Sequence, residues 1–599
     1  MCGIAGIINY RQGPAVDQKD LLRMRETMIS RGPDGAGLWI SGNGQAGLVH
    51  RRLSIIDLSD KAAQPMASEN NNVQIVFNGE IYNYKLLCQE LEQKGVTFKT
   101  VSDTEVILYL YQIYGEDFVY KLRGMFAIAL YETTKQKILL IRDPFGIKPL
   151  YYADDGKRLI FASQVSTLVK SGLIDTAKDA AGQVGFFLWG HIPEPYTIYR
   201  QIRSLEPGTT MTASPGNTPV FNINNNALAK LKQYSEFDSS NESLREIVLD
   251  SVRQHLVSDV PVGAFLSAGI DSATICSLVM EAGLKHPLQA VTLGFQEFRG
   301  SGADEVSLAR ENARRNKIQH EVRWLARKDF TDSLDDFLKS IDQPTINGLN
   351  TWFVSKVTAE TGLKVALSGI GGDEFFAGYS SFKDIPRLTK YVKHVPRFIG
   401  AAFRRMSAPV LPRFISPKYA GVLEFGNSLE GSFLLRRGLF MPWELPKILD
   451  KDVVQEGLSK LNTMKKLSDT SNHISSERMR VMALETRWYM QSRLLRDTDW
   501  AGMAHSLEIR TPLVDSFFFG RLVPHIKQTN GNAPPDKKSL AGTPNPPLPE
   551  SVINRPKSGF NVPVREWLLE EAGVKNQQRG LRDWAEFIAG QFEFEGLRK

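Results

Sequence analysis

The sequence predicts a two-part fold: an α+β region over about the first 200 residues, then an α/β region on a parallel sheet whose C-terminal part is mostly helical. Three observations predict it. The apolar, β-prone stretches GIAGIIN, VQIVF, MFAIALY, KILLIR and RLIFAS crowd the N-terminal third, with amphipathic helical segments between them. From about residue 241, strand-like and helix-like segments alternate instead, as they do where helices cover a parallel sheet. Finally, 599 residues exceed what one hydrophobic core serves.

In the first region, LLRMRETMIS and YKLLCQELEQ carry apolar residues at three-four spacing, as from Leu87 to Leu91, and read as helices. After SLEPGTT the composition turns to Asn, Ser and Gly (TASPGNTPVFNINNNALAKLKQYSEFDSSNES), which reads as a connection or irregular edge between domains. The expected domains are 2–210 and 240–580. In the second, the helix-like ESLREIVLDSVRQHLVS leads to the strand VGAFLS, a turn and the helix DSATICSLVMEAG. QAVTLGF, ADEVSLARENARRN, HEVRW, TWFVSKVTAETG and KVALS continue the strand–helix alternation to a second Gly-rich turn. Beyond about 380 the segments read as helices, and TNGNAPPDKKSLAGTPNPPLPES reads as a Pro-rich connector.

Composition narrows the function classes. Three cysteines (Cys2, Cys88, Cys276) make no disulfide framework, and no Cys or His spacing matches a metal motif. No apolar run reaches the ~18 residues of a membrane span, and MCGIAGIINYRQG lacks a signal peptide's basic start, so a cytoplasmic protein is expected. A net charge of +7 over this length gives no argument for nucleic acid. Residues 382–419 are denser in Lys and Arg, with Asp384 their single acid and apolar residues between; a solvated helical face and a membrane or acidic-ligand surface are both open.

Two loops carry phosphate chemistry. FLSAGIDSATI puts Ser267, Gly269 and Ser272 where a buried strand gives way to a helix, so backbone N–H groups at the helix start suit a phosphate. ALSGIGGDEFFAGY repeats the device with Ser368, Gly369, Gly371 and Gly372. Asp271 and Asp373, across neighbouring strand ends, suit Mg²⁺ bound against a triphosphate. Neither loop has the Lys-Ser/Thr ending of a Walker loop.

The N-terminal region carries nucleophile chemistry. Removal of Met1 would give Cys2 a free α-amine with a reference pKa of about 8, low enough to take the thiol's proton near neutral pH. FNGEIYN adds Asn78 and Gly79 as oxyanion donors. Arg52, in HRRLSIID, offers a planar fork for a carboxylate, and Asp103, in VSDTE, a partner for an ammonium. Together these describe a pocket for free glutamine.

MCGIAG, RGPDG, HRRLSIID, FNGEIYN, SDTE and RDPFGIKPLYY resemble the N-terminal-nucleophile (Ntn-hydrolase type) glutaminase domain of the glutamine amidotransferases. LSAGIDS, LSGIGGDE, RDTDWAGMAHSLEIRTPLVD and NRPKSGFNVPVREW resemble the synthetase domain of glutamine-hydrolysing asparagine synthetases. The resemblance covers nearly the whole chain. It implies an antiparallel sheet sandwich with flanking helices, then an ATP-pyrophosphatase-type domain. By the same resemblance, Arg52, Leu53, Ser54, Ile55, Ile56, Asn78, Gly79, Glu80 and Asp103 line the glutamine site. Leu266, Ser267, Gly269, Asp271, Ser272, Leu293, Ser368, Gly369 and Lys557 bind ATP, with Asp271 and Asp373 on Mg²⁺. The implied reaction joins an acyl-adenylate to ammonia passed through the interior. The expected partners are small molecules: glutamine, ATP and a carboxylate acceptor, with no nucleic acid and no transmembrane segment. A homodimer is among the assemblies left open.

Two positions depart from the family pattern. Ala268 stands where the first loop usually has glycine, which a loop without positive φ there tolerates. Ile370 stands where asparagine synthetases have a glutamate linked to forming the aspartyl-adenylate. Either another carboxylate such as Glu374 shares that task, or the acceptor is a different acid, such as a sugar or natural-product carboxylate. A glutamine-binding protein with reduced catalysis is the third reading.

Overall fold

The computed structural model describes residues 2–598, apart from 12, 224, 230, 232–241, 285, 303, 412–414, 528–532, 557–566 and 568–579. Among the described residues, twelve strands form the N-terminal part: β1 (Gly3–Asn9), β2 (Gly35–Ile40), β3 (Ala46–Arg52), β4 (Met66–Ala67), β5 (Val73–Ile81), β6 (Gly124–Glu132), β7 (Lys137–Arg142), β8 (Tyr151–Asp154), β9 (Arg158–Ala162), β10 (Ile202–Ser204), β11 (Thr209–Ala213) and β12 (Val220–Ile223). They make two six-stranded sheets, ordered β10-β8-β9-β1-β3-β2 and β12-β11-β7-β6-β5-β4. Each neighbouring pair is antiparallel; β1, for example, pairs Gly3 with Arg51 and Ala5 with Ala162.

The sheets stack because alternate residues of each strand are apolar. Ile4, Ile8 and Leu48 of the first meet Val76, Ala129 and Leu140 of the second in a fully buried layer. The outer face of the first sheet is covered by α1 (Gln18–Glu26) through Leu21 and Met24. α1 starts at Asp17, whose carboxylate accepts from the Lys19 N–H. The second sheet is covered by α2 (Tyr84–Glu92) and α3 (Asp103–Tyr114). The Asn-rich stretch read as a connection or irregular edge supplies β12, the exposed edge strand of the second sheet.

The second part is built on β13 (Val262–Phe265), β14 (Gln289–Phe295), β15 (Gln319–Leu325), β16 (Val365–Leu367) and β17 (Glu508–Arg510). All are parallel, in the order β15-β14-β13-β16-β17. From β13 the chain adds strands on one side and then, with β16, on the other. The carboxyl ends of β13 and β16 therefore flank the switch point where α/β sheets gather ligands. α4 (Ile270–Ala282) follows β13, and the helices after residue 380 make the mostly helical remainder.

The two parts share a continuous apolar seam. Phe145, from the first, packs against Phe375 and Phe519 of the second with ring centroids 6.0 and 5.4 Å apart. No helix among the described residues is long and apolar enough to cross a membrane.

Candidate active sites and the family

The nucleophile candidate sits at the mouth of the first sheet. Cys2 directly precedes β1, and its backbone nitrogen donates to Asn78 Oδ1 at 3.0 Å. Asn78 lies in the fully buried strand β5, which fixes its amide. The other half of that amide, Nδ2, is buried with no protein partner, so a donor is left for a ligand. Gly79 follows at φ +156°; a Cβ there would come within 2.1 Å of the Met125 carbonyl oxygen on β6, so glycine alone fits this strand pairing.

Burial pushes the Cys2 thiol above its ordinary pKa, opposed by the Leu53 N–H and the nearby Arg52 guanidinium. A buried thiol of this kind stays protonated at neutral pH and needs a local acceptor. Its own nitrogen, held by Asn78, is the candidate acceptor once it is a free amine.

Arg52, at the end of β3, spends its fork on the loop that follows. Nη1 donates to the Ser59 carbonyl at 2.8 Å, and Nη2 donates to the Ile56 carbonyl at 3.4 Å and to the Asp57 carbonyl. The guanidinium thus holds Leu53–Ile56 against the thiol. The same loop reaches the second part: Asp259 N–H donates to the Ile55 carbonyl at 3.0 Å, and Asp57 N–H to the Asp259 carboxylate at 2.8 Å. Ser54 N–H donates to Asp34. Asp103 opens α3 and accepts from the Ile81 N–H at 3.0 Å; burial raises its carboxyl to about 6.

Sequence reasoning missed the ionic cluster behind this pocket. Arg31 Nε donates to the Cys2 carbonyl at 3.1 Å while its two Nη atoms grip Asp499 at 2.7 and 3.2 Å. Both side chains are buried, and the Lys148 ammonium lies 3.9 Å from the same carboxylate. A second cluster centres on Arg510 at the end of β17, whose Nε donates to Glu508 at 2.6 Å and whose Nη2 lies 3.4 Å from Glu80. Burial drives the Glu80 carboxyl up. The Glu508 carboxyl, in closer contact with Arg510, is held down to about 2 against its own burial. RGPDG contained Arg31, and RDTDWAGMAHSLEIRTPLVD contained Asp499, Glu508 and Arg510, but nothing in either stretch signals that they meet.

The second site is at the switch point. Leu266 N–H joins the Val291 carbonyl, and the Ser267 and Ser272 hydroxyls lie 2.9 Å apart, with Ser267 Oγ also accepting from the Gly269 N–H at 3.1 Å. This small-residue turn leads into α4, whose first N–H groups have no helical carbonyl to meet. Ala268 has no positive φ and is buried, so the missing glycine costs the turn nothing. Across the crevice, Ser368 N–H donates to the Arg510 carbonyl at 2.8 Å. Gly369 and Gly372 hug Asp271, where a Cβ would come within 2.7 Å of Asp271 Cβ and 2.3 Å of its Oδ1. Leu293 is buried in β14 beside this turn's strand. Lys557 lies outside the described residues.

Asp271 and Asp373 converge, as the two loops suggested, and Lys537 Nζ bridges them, 3.0 Å from Asp373 and hydrogen-bonded to Asp271. The two acids draw the Lys537 ammonium up against its burial. Lys537 comes from the stretch read as a Pro-rich connector, in the short helix Lys537–Ala541. Two hard carboxylate oxygens around a cation suit Mg²⁺, which commonly takes one or two protein carboxylates and completes its shell with phosphates and water. No group of three or more metal-ligating His, Cys, Asp or Glu occurs among the described residues. Ile370 packs against the apolar core, and Glu374 is buried, accepting from the Tyr379 hydroxyl at 2.9 Å. Burial, then the neighbouring Asp373, raises its carboxyl to about 7.

Comparison with known proteins agrees with both halves. Residues 1–222 match the glutamine amidotransferase domain family, and residues 243–592 match the asparagine synthase family. The chain is 33% identical over 592 residues to asparagine synthetase [glutamine-hydrolyzing] 1 of Bacillus subtilis, spanning 95% of this chain and 88% of that protein. It is 30% identical to a putative asparagine synthetase [glutamine-hydrolyzing] of Mycobacterium bovis, with the same shares of each chain covered. Asparagine synthetase B [glutamine-hydrolyzing] of Escherichia coli is 29% identical over 64% of this chain and 66% of its own length. With both halves matched in order and over nearly their full extent, the chain belongs to the glutamine-hydrolysing asparagine synthetase family.

Proposed function

We propose that the chain is a glutamine-hydrolysing asparagine synthetase, converting L-aspartate, L-glutamine, ATP and water to L-asparagine, L-glutamate, AMP and diphosphate. One observation carries this reading. The nitrogen of Cys2 is held by Asn78 on one side of a buried ionic seam, and two phosphate-type turns face each other on the other side. The proposed working units are residues 2–210 and 240–580.

In the first unit, glutamine lies among Arg52–Ile56, Asn78–Glu80 and Asp103. Asp103 takes its ammonium, and Arg52, whose Nη atoms are spent on the Ile56, Asp57 and Ser59 carbonyls, shapes the loop around its carboxylate. Cys2 Sγ attacks the amide carbon as the Cys2 amine takes the thiol proton. Asn78 Nδ2 and the Gly79 N–H receive the oxyanion, a pair of donors of the kind worth about 3 kcal/mol each in such sites. The C–N bond then breaks, the amine returns the proton to the departing nitrogen as ammonia, and water cleaves the thioester to glutamate.

In the second unit, the turns at Leu266–Ser272 and Ser368–Gly369, with Leu293, hold ATP, and Asp271 and Asp373 would hold Mg²⁺, which would neutralise phosphate charge. Lys557, matched by the resemblance, contributes a further cation. A carboxylate oxygen of aspartate attacks the α-phosphorus, diphosphate leaves, and ammonia displaces AMP from the acyl carbon. Glu374, buried beside Asp373 with its carboxyl raised to about 7, shares the task in forming the aspartyl-adenylate for which Ile370 offers no group. A small cavity lined in part by Arg31, Tyr151, Asp342, Arg496, Asp499 and Trp500 adjoins the Cys2 anchor, and the proposed reaction passes ammonia through the interior. Such a route keeps ammonia unprotonated.

The test is diphosphate release by the purified chain with ATP, Mg²⁺, glutamine and a panel of acids. Aspartate-dependent release is expected. Release with only another carboxylate would transfer the reading to that acceptor, and none with any acid would leave a glutamine-binding protein. Cys2→Ala should abolish use of glutamine and spare use of ammonia, and mass spectrometry should find Cys2 at the amino terminus.

A further inference from the structure

The basic stretch at 382–419 takes no part in either site, and its placement is unusual. Its two helices, Ser381–Val392 and Arg397–Ser407, lie on the surface of the C-terminal helical part. The second packs on residues 417–425 along one side, with Ala401, Arg404 and Ser407 half-buried there. Gly400 rests on the backbone of Glu424, where a Cβ would come within 2.5 Å, and Arg404 pairs with the Glu424 carboxylate. Gly400 is the one buried residue of that helix, so its remaining faces point outward.

Those faces are apolar. Phe398 and Met406 are 76% and 79% exposed, and the i, i+4, i+7 spacing of Ile399, Phe403 and Met406, all exposed, puts these three on one side of the helix. Tyr391, at the end of the preceding helix, is 78% exposed. Scattered exposed apolar residues need no explanation, but a contiguous set with aromatic and methionine tips marks a contact surface. Cations surround it: Lys390, Lys393, Arg397 and Arg405 form no ion pair among the described residues, and the acids nearby are already engaged, Glu424 with Arg404 and Asp384 with Arg436.

The geometry points to an anionic lipid bilayer as the occupant of this surface. Helices that lie in a membrane interface combine a rim of Lys and Arg with aromatic and aliphatic tips. Single side chains that protrude almost fully need no matching sockets in a lipid surface, whereas a folded protein would have to supply one for each. A second copy is disfavoured because a two-fold contact would set this basic rim against itself. The charge attracts lipid phosphate, and Tyr391, Phe398 and Met406 enter the headgroup boundary.

The experiment is sedimentation of the full chain with sucrose-loaded vesicles, either pure phosphatidylcholine or phosphatidylcholine with phosphatidylglycerol. Binding is expected to the anionic vesicles only, and to weaken with salt. Lys390→Gln/Lys393→Gln/Arg397→Gln should lower the partition coefficient on the order of a hundredfold, at about 1 kcal/mol per cation. Phe398→Ser/Met406→Ser should also lower it, about tenfold or more, through lost apolar burial. Both variants should keep the circular dichroism spectrum of the parent. Three results would each overturn the proposal: no binding of the parent to anionic vesicles at low salt, loss in the charge variant alone (which marks generic polyanion attraction), or a dimer by light scattering that Phe398→Ser/Met406→Ser converts to monomer.

Discussion

Replacing Asp499 by leucine should damage the glutaminase half from a position in the synthetase half. Asp499 faces two buried cations, Arg31 in bidentate contact and Lys148 at 3.9 Å. Lys148 already has its pKa lowered by burial, so it can shed its proton when the carboxylate goes. Arg31 cannot. The cost is therefore that of one stranded guanidinium, about 3–5 kcal/mol. For domains of this size that lowers the unfolding midpoint on the order of 10 °C. Arg31 also anchors the Cys2 carbonyl at 3.1 Å, so its displacement moves the nucleophile, and kcat/KM for glutamine should fall about tenfold or more. Differential scanning calorimetry and a glutaminase assay read the two effects separately. Arg31→Met/Asp499→Leu removes the stranded charge and should restore most of the midpoint, while the Cys2 carbonyl, still without its donor, keeps glutamine turnover low. An Asp499→Leu chain that melts within about 2 °C of the parent and hydrolyses glutamine within about twofold would refute a fork joining the halves.

Two further predictions concern the sites themselves. With its carboxyl raised to about 6, Asp103 is ionised above that pH and protonated below it, so glutamine affinity of the Cys2→Ala chain should fall about tenfold per unit as the pH drops below about 6. Calorimetric titration of Asp103→Asn should give weak binding without that slope; an unchanged slope would remove Asp103 from the ammonium. Lys537→Met leaves Asp271 and Asp373 facing each other without their cation, so the variant should melt lower than the parent and recover with millimolar Mg²⁺. No Mg²⁺-dependent rise in its midpoint would argue against a cation position between the two acids.

How much of this was legible in the sequence follows from what each element buries. β1, β5, β6, β13 and β16 bury apolar side chains, so periodicity and composition mark them. β17 is equally buried, but two of its three residues are Glu508 and Arg510, which satisfy each other inside the protein. Charged residues normally mark surface, so this strand carries no signal. The two small-residue turns after β13 and β16 were readable because small residues between a strand and a helix leave few alternatives. Lys537 was not, because prolines on either side of a short helix resemble a linker. Arg31 and Asp499 lie 468 residues apart. Periodicity reports what a residue's own element faces, and no such pattern pairs residues that distant.

The edge strand β17 bears on how this enzyme can be taken apart. One arginine offers its carbonyl to the Ser368 amide and its guanidinium to Glu80, so a single residue belongs at once to the proposed nucleotide crevice and to the wall of the proposed glutamine pocket. A chimaera spliced at the Asn-rich stretch would inherit half of that arrangement from each parent. To be functional, a transplanted amide-cleaving half must bring along the three residues of β17, far downstream of the apparent joint.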